Sequence, residues 1–216
     1  MGKAKFGASN FYYGVVENDL VADGPKKMPG LTEAKMDLKN EMKGIAADDG
    51  PYVTLSGGIS EATLNIKLLD IASEARKDFF GIEVKNGVEL YNKNLKPNDI
   101  AIMFDTKMDD GTKIHVAMLK GKFSLPGVDT KTVDGTPDPS NDETTGTFAP
   151  RGDSEDGMMV AIGREDNAGF DLEKFKRFVF PKTADDYNAL DTPQAPQAPQ
   201  DVKPVPTTNG ADISSK

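Results

Sequence analysis

Between Lys35 and Lys43 charged and apolar side chains alternate. Lys35, Asp37, Lys39, Glu41 and Lys43 are charged, Met36, Leu38 and Met42 are apolar, and Asn40 breaks the apolar series. A period of two is the period of a strand, whose successive side chains point to opposite faces. The same period returns in residues 61–69. There Ala62, Leu64, Ile66 and Leu68 share one face, and Thr63, Asn65 and Lys67 the other. A strand with one apolar and one wet face buries the first against another layer and leaves the second to water. The pattern therefore directs the chain to a β architecture with a partly solvated sheet.

Other segments extend this reading. Phe11, Tyr12, Tyr13, Val15 and Val16 give a strand over Phe11–Glu17. Further strands are expected at Val88–Tyr91, Ile100–Thr106, Lys113–Leu119, Thr144–Ala149 and Met158–Ile162. Asp109-Asp110-Gly111 is a hairpin turn between two of them, and the second strand either continues through Gly121 or bulges there. The stretch 46–60 reads as a long loop, with Tyr52–Leu55 as a short strand or one arm of a protruding hairpin. Ser73–Phe80 reads as a helix, capped by Ser73 and ended by Gly81, with Ala72, Ala75, Phe79 and Phe80 inward. Asp171–Phe178 reads as a short helix or turn with Leu172, Phe175 and Phe178 on one face. Pro126–Glu143 is rich in turn formers and reads as a surface loop. The fold class expected is mainly β: a sandwich-like or barrel-like domain of roughly eight to ten strands with one packed helix.

Two regions differ in composition. Residues 1–190 hold all eleven Phe and five Tyr, enough aromatic bulk for a core. Residues 191–216 carry a Pro-Gln-Ala repeat and no aromatic, and are expected to form a flexible tail.

The search for chemistry yields little. The chain has no Cys, so disulfides and thiolate metal sites are excluded. His115 is the only His. It lies on the strand face opposite Ile114 and Val116, and is read as an exposed polar residue rather than a catalytic base. Asp48-Asp49 and Asp109-Asp110 lack the spacing of a calcium loop. No phosphate-binding glycine motif occurs, and Arg151-Gly152-Asp153 is read as a chance tripeptide in a turn. A net charge of −9 disfavours clamping of nucleic acid or anionic lipid. The N-terminus has no signal-peptide h-region, and no apolar run reaches the ~20 residues of a membrane span. No catalytic residue, cofactor or metal is expected, and the chain is read as a self-pairing building block rather than an enzyme.

The order of short motifs carries a resemblance. It comprises Tyr12-Tyr13-Gly14-Val15-Val16, then Pro29-Gly30-Leu31, the strand from Lys35, and Ala46-Ala47-Asp48-Asp49-Gly50-Pro51-Tyr52. After Gly58 follow Ala62-Thr63-Leu64-Asn65-Ile66, Phe80-Gly81, Ala101-Ile102-Met103-Phe104, Thr144-Thr145-Gly146-Thr147-Phe148 and Phe178-Val179-Phe180-Pro181. Over Tyr12–Pro181 this resembles the major tail protein (tail tube protein) of long, non-contractile-tailed bacteriophages of Gram-positive bacteria.

The resemblance implies a homo-oligomer of hexameric rings, stacked into a tube that conducts DNA during ejection. It implies a tape measure protein, a baseplate or initiator complex and a tail terminator as partners, with DNA passing without specific binding and no membrane anchor. It implies synthesis in the host bacterial cytoplasm and residence in the virion tail. A long loop reaches the neighbouring ring in that family, so Asp48, Asp49, Tyr52 and Val53 are the candidate ring-to-ring contacts. An acidic chain suits such a conduit, because a basic lumen would hold the passing polymer. A related tube protein of a contractile injection system shares the fold, and a β-sandwich adhesion or carbohydrate-binding module is the alternative from another class.

Overall fold

The computed structural model describes residues 4–21, 23–47, 50–128, 140–152 and 157–191. The mainly β expectation holds. The strands are β1 (Lys5–Val16), β2 (Lys26–Lys27), β3 (Leu31–Ala47), β4 (Gly50–Leu68), β5 (Glu83–Lys85), β6 (Val88–Leu90), β7 (Asp99–Met108), β8 (Lys113–Phe123), β9 (Asp142–Phe148) and β10 (Val160–Arg164). The helices are α1 (Ser73–Phe80) and α2 (Leu172–Val179), and a 3₁₀ turn spans Ala184–Asn188.

Eight strands form one antiparallel sheet in the order β2-β1-β7-β8-β9-β4-β3, with β10 beside β8. Strand β8 shares one edge between two partners. Its first half pairs with β10 and its last three residues, Gly121–Phe123, pair with β9. At that branch Gly121 faces Phe148. A Cβ on Gly121 would stand 2.5 Å from the Phe148 ring and 2.7 Å from the Thr147 carbonyl oxygen, so only glycine fits between them. Both readings of this strand are met: it continues through Gly121, and its register with β7 slips between Met118 and Gly121.

The sheet has two apolar layers because its central strands are buried on both faces. On one face Ile100, Ile102 and Phe104 of β7 meet Leu64, Ile66 and Leu68 of β4, with Phe79 and Phe80 of α1. On the other, Ala101 and Met103 of β7 and Ala117 and Leu119 of β8 meet Phe175, Phe178 and Val179 of α2. Alternation thus survives in β4, and turns into a continuous apolar run in β7 and β8. Where one packed helix was expected there are two, each covering its own face.

Helix α1 has the bounds read from the sequence, with a different start. Ala72 is its N-cap, exposed and without a side-chain cap bond, while Ser73 Oγ donates to Glu89 Oε1 at 2.6 Å. Gly81 ends it at φ 69°, where a Cβ would stand 2.6 Å from the Lys96 carbonyl oxygen. In α2 the sequence signal is complete: Asp171 Oδ1 accepts from the N–H groups of Glu173 and Lys174.

Tyr52–Leu55 is one arm of a protruding hairpin, as one of its two readings had it, and the described residues expected as loop around it are strand. Strands β3 and β4 form one long hairpin, paired from Leu31 opposite Leu68 to Ala47 opposite Gly50. Asn40, which broke the alternation, sits where the register slips. Most of Pro126–Glu143 and all of 192–216 lie outside the described residues. Among the described residues no helix is long and apolar enough to cross a membrane.

Candidate assembly interface

Strand β9 supports β4 only over Ala62–Leu68. Beyond Ala62, towards Gly50, β3 and β4 pair with each other alone and leave the body as a two-stranded ribbon. Twelve residue steps at ~3.3 Å give it a reach of about 40 Å. An isolated two-stranded hairpin is marginal in water, so what the ribbon presents matters.

It presents apolar side chains. Met42, Ile45, Tyr52, Val53, Leu55 and Ile59 are all exposed, Tyr52 at 76% and Met42 at 69%, and Leu38 is exposed at the ribbon's base. Ile45 stands opposite Val53 and Lys43 opposite Leu55, so Ile45, Val53 and Leu55 share one face. Met42 stands opposite Ser56, on the other face with Tyr52 and Thr54. The polar ties are at the base: Ser56 Oγ donates to Asn40 Oδ1 at 3.1 Å, and Lys39 Nζ lies 2.6 Å from Glu61 Oε2. The Glu61 hydrogen bond raises the Lys39 ammonium pKa, but both groups are exposed and the pair stabilises little.

Of the four residues read as contacts, Tyr52 and Val53 lie on this ribbon. Asp48 and Asp49 fall outside the described residues. Ile45, Leu55, Met42 and Ile59 were not among the candidate contacts. Their signal was the apolar content of 42–59, which the glycines and proline in it masked.

The polar face of β3, β4 and β9 is uncovered by either helix. It carries Glu33, Lys35, Asp37, Lys39, Glu61, Lys67 and Glu143. Signs are matched locally: Lys67 pairs with Glu33 at 2.8 Å, Lys39 with Glu61, and Lys35 with Asp37 at 3.1 Å. This face is charge-balanced rather than strongly acidic, although the whole chain is acidic.

His115 is not exposed, which corrects the sequence reading. It is buried at 1% exposure beneath the loop leading to α2. Its ring stacks on Phe170, with centroids 5.4 Å apart, and lies near Phe175. Its Nδ1 is 2.7 Å from Asp105 Oδ1, and Asn10 Nδ2 donates to Asp105 Oδ2 at 2.9 Å. Nε2 lies 3.4 Å from Glu165 Oε1 without hydrogen-bond geometry. Burial alone would raise the Asp105 carboxyl pKa. The hydrogen bonds from His115 and Asn10 outweigh it and hold the group below the usual carboxylate value. The pair ties β1, β7 and β8 together beneath the Phe170 and Phe175 rings.

Arg151, read as part of a chance tripeptide, is also buried. It donates to the carbonyl oxygens of Phe178 and Val179 at 2.5 and 2.7 Å, satisfying the end of α2, and lies against the Phe178 and Tyr187 rings. Burial lowers its pKa. Among the described residues no group of three or more His, Asp or Glu side chains is placed to hold a metal ion.

No family model matches the chain, and no curated protein matches it. Solved structures do. The anti-feeding prophage cap, a tube terminating cap, is 12% identical over 72% of this chain and 88% of its own, with a TM-score of 0.41. The sheath-tube complex of the PVC extracellular contractile injection system, in its extended state, is 13% identical over 72% and 88%, with a TM-score of 0.35. The sheath/tube terminator of the same system is 13% identical over 71% and 92%, with a TM-score of 0.37. Each of these, by its description, is part of a tube assembly.

Proposed function

We propose that this chain is a structural virion protein: the major tube subunit of a long, non-contractile bacteriophage tail. Copies close into hexameric rings, and rings stack into the conduit through which DNA leaves. The observation that carries this reading is the ribbon of β3 and β4, which holds six exposed apolar side chains away from the body that made it. A monomer gains nothing from that arrangement, whereas a second copy covers it.

The open sheet edges support the same reading. β2 covers β1 at only Tyr12 and Tyr13, and among the described strands none pairs with the outer edge of β3. Free edges of this length invite pairing between chains, and ring closure removes them. The balanced charges on β3, β4 and β9 suit a wall past which a polyanion slides, since each lysine there is answered by a carboxylate.

The test is negative-stain microscopy of the purified chain over a range of concentrations, with and without an initiating tail complex. Rings or tubes of about 10 nm width are expected. A monomer that stays single in both settings and binds glycans would overturn the proposal in favour of an adhesion module.

A further inference from the structure

We propose that the ribbon docks in a groove at the far end of its own strand β4, on the next copy of the chain. The inference rests on the self-assembly reading above and names the surface that reading leaves open.

The groove lies where β4 leaves the sheet and α1 begins. Asp70, Ile71, Ala72, Tyr91, Leu125 and Val128 line it, and it encloses about 510 Å³. Among the described residues its apolar walls are exposed: Leu125 is 47% exposed, Tyr91 49% and Val128 84%, and Leu69 beside them 53%. Its internal polar groups are already engaged. Arg76 is bound to Asp142 at 2.6 Å, and Glu89 accepts from Ser73 at 2.6 Å and from Tyr91 at 2.9 Å. A small polar ligand would find few free groups inside. An apolar segment finds walls.

Position selects the occupant. β4 starts at the ribbon tip with Gly50, ends at Leu68, and enters the groove two residues later. Tip and groove therefore stand at opposite ends of one strand of nineteen residues, about 60 Å apart. The tip cannot reach its own groove. A shift along β4 brings it to the groove of the next copy.

The two surfaces are unlike, so the contact is heterologous and repeats. A ribbon-to-ribbon contact would be isologous and would stop at a dimer. Charge agrees: Lys43 shares the ribbon face of Ile45, Val53 and Leu55, and Asp70 stands exposed in the groove. The patch is small: Ile45, Val53 and Leu55 against Leu69, Tyr91, Leu125 and Val128 fall short of the ~1,200 Å² buried by a specific stable pair. One contact is weak, and repetition around a ring makes it strong.

The absence of native Cys makes the test clean. Chains carrying Val53→Cys and Leu125→Cys, made at different lengths of tag, are mixed under mild oxidation. Thr147→Cys, on the uncovered polar face, serves as the control partner. The expected result is a disulfide-linked heterodimer of the Val53 and Leu125 variants, at least tenfold above either homodimer and above the Thr147 pairing. A dominant Val53 homodimer, or equal coupling to Thr147, overturns the inference. So does the absence of any heterodimer. Microscopy of the same samples separates the two readings: tubes without the heterodimer sink the groove alone, and the lack of both sinks the tube as well.

Discussion

Asp105 and His115 show how a single residue pair is read half correctly from a sequence. Alternation put His115 on the face opposite Ile114 and Val116, which is right. What lies on that face was not legible, because the covering rings, Phe170 and Phe175, come more than fifty positions later. The carboxylate partner Asp105 drew no notice, since nothing in Met103-Phe104-Asp105-Thr106 marks a buried acid. Asp105→Asn is expected to cost roughly 1–3 kcal/mol at pH 7, because it weakens a buried, charge-assisted hydrogen bond. The sign with pH follows from the lowered carboxyl. Its contribution is full above the unfolded value near ~3.9 and fades as pH falls through the folded value below it. Urea unfolding of both proteins from pH 7 to pH 2.5 checks this; a gap that widens on acidification would contradict it. Asp186 gives the companion case. Arg177 Nε donates to it at 2.8 Å, and the N–H groups of Lys182 and Thr183 each donate at 3.0 Å. The Arg177 bond leads in pulling its pKa down to about 2. The stability lost in Asp186→Asn is therefore expected to be full above pH ~4 and to vanish only as pH approaches about 2. Acid titration of the two folded proteins by circular dichroism would reveal a difference that collapsed already at pH 5, against this account.

Strand β4 shows how a buried face makes an element legible. β4 was visible over 62–68 because Ala62, Leu64, Ile66 and Leu68 pack in a core. Over 50–60 only Tyr52–Leu55 was read as a strand or hairpin arm and the rest as loop, because in the ribbon neither face is buried and no packing enforces a period. Glycines at 57 and 58 and Pro51 then outweighed the β-branched residues between them. The end of α1 was legible from Gly81, a local signal that needs no tertiary partner. Two predictions belong to this scale. Deleting 49–54, or placing Asp at both Ile45 and Leu55, is expected to leave the melting temperature within about 3 °C, since Ile45, Tyr52, Val53 and Leu55 are exposed on the ribbon. Tube formation should be lost in both. Polymers of normal length from either variant would refute the ribbon's role. By contrast Gly121→Ala drives a methyl group into Phe148 and the Thr147 carbonyl at the branch of β8. Overpacking there is expected to cost roughly 1–3 kcal/mol, read as a lowered urea midpoint at unchanged slope.

At the scale of the molecule, two forces oppose each other in assembly. The chain carries a net charge of −9, so copies repel. The ribbon and the free edges attract, through apolar burial and strand pairing. Repulsion is screened within a Debye length of ~8 Å at physiological salt, so moderate sodium chloride is expected to help assembly and then to have no further effect. Apolar burial behaves differently with temperature. Its driving force is largely entropic near 25 °C and weakens on cooling. If the apolar ribbon dominates, the concentration at which tubes appear is expected to rise several-fold between 25 and 4 °C, and tubes formed warm should shed subunits when chilled. Calorimetry of disassembly should then give a heat-capacity change of the sign that accompanies exposure of apolar surface. Light scattering against temperature at 0.3 M salt, where charge is screened, isolates this effect. Assembly that strengthened on cooling there would assign the contact to polar pairing along the edges, and would remove the ribbon from its place as the main source of cohesion.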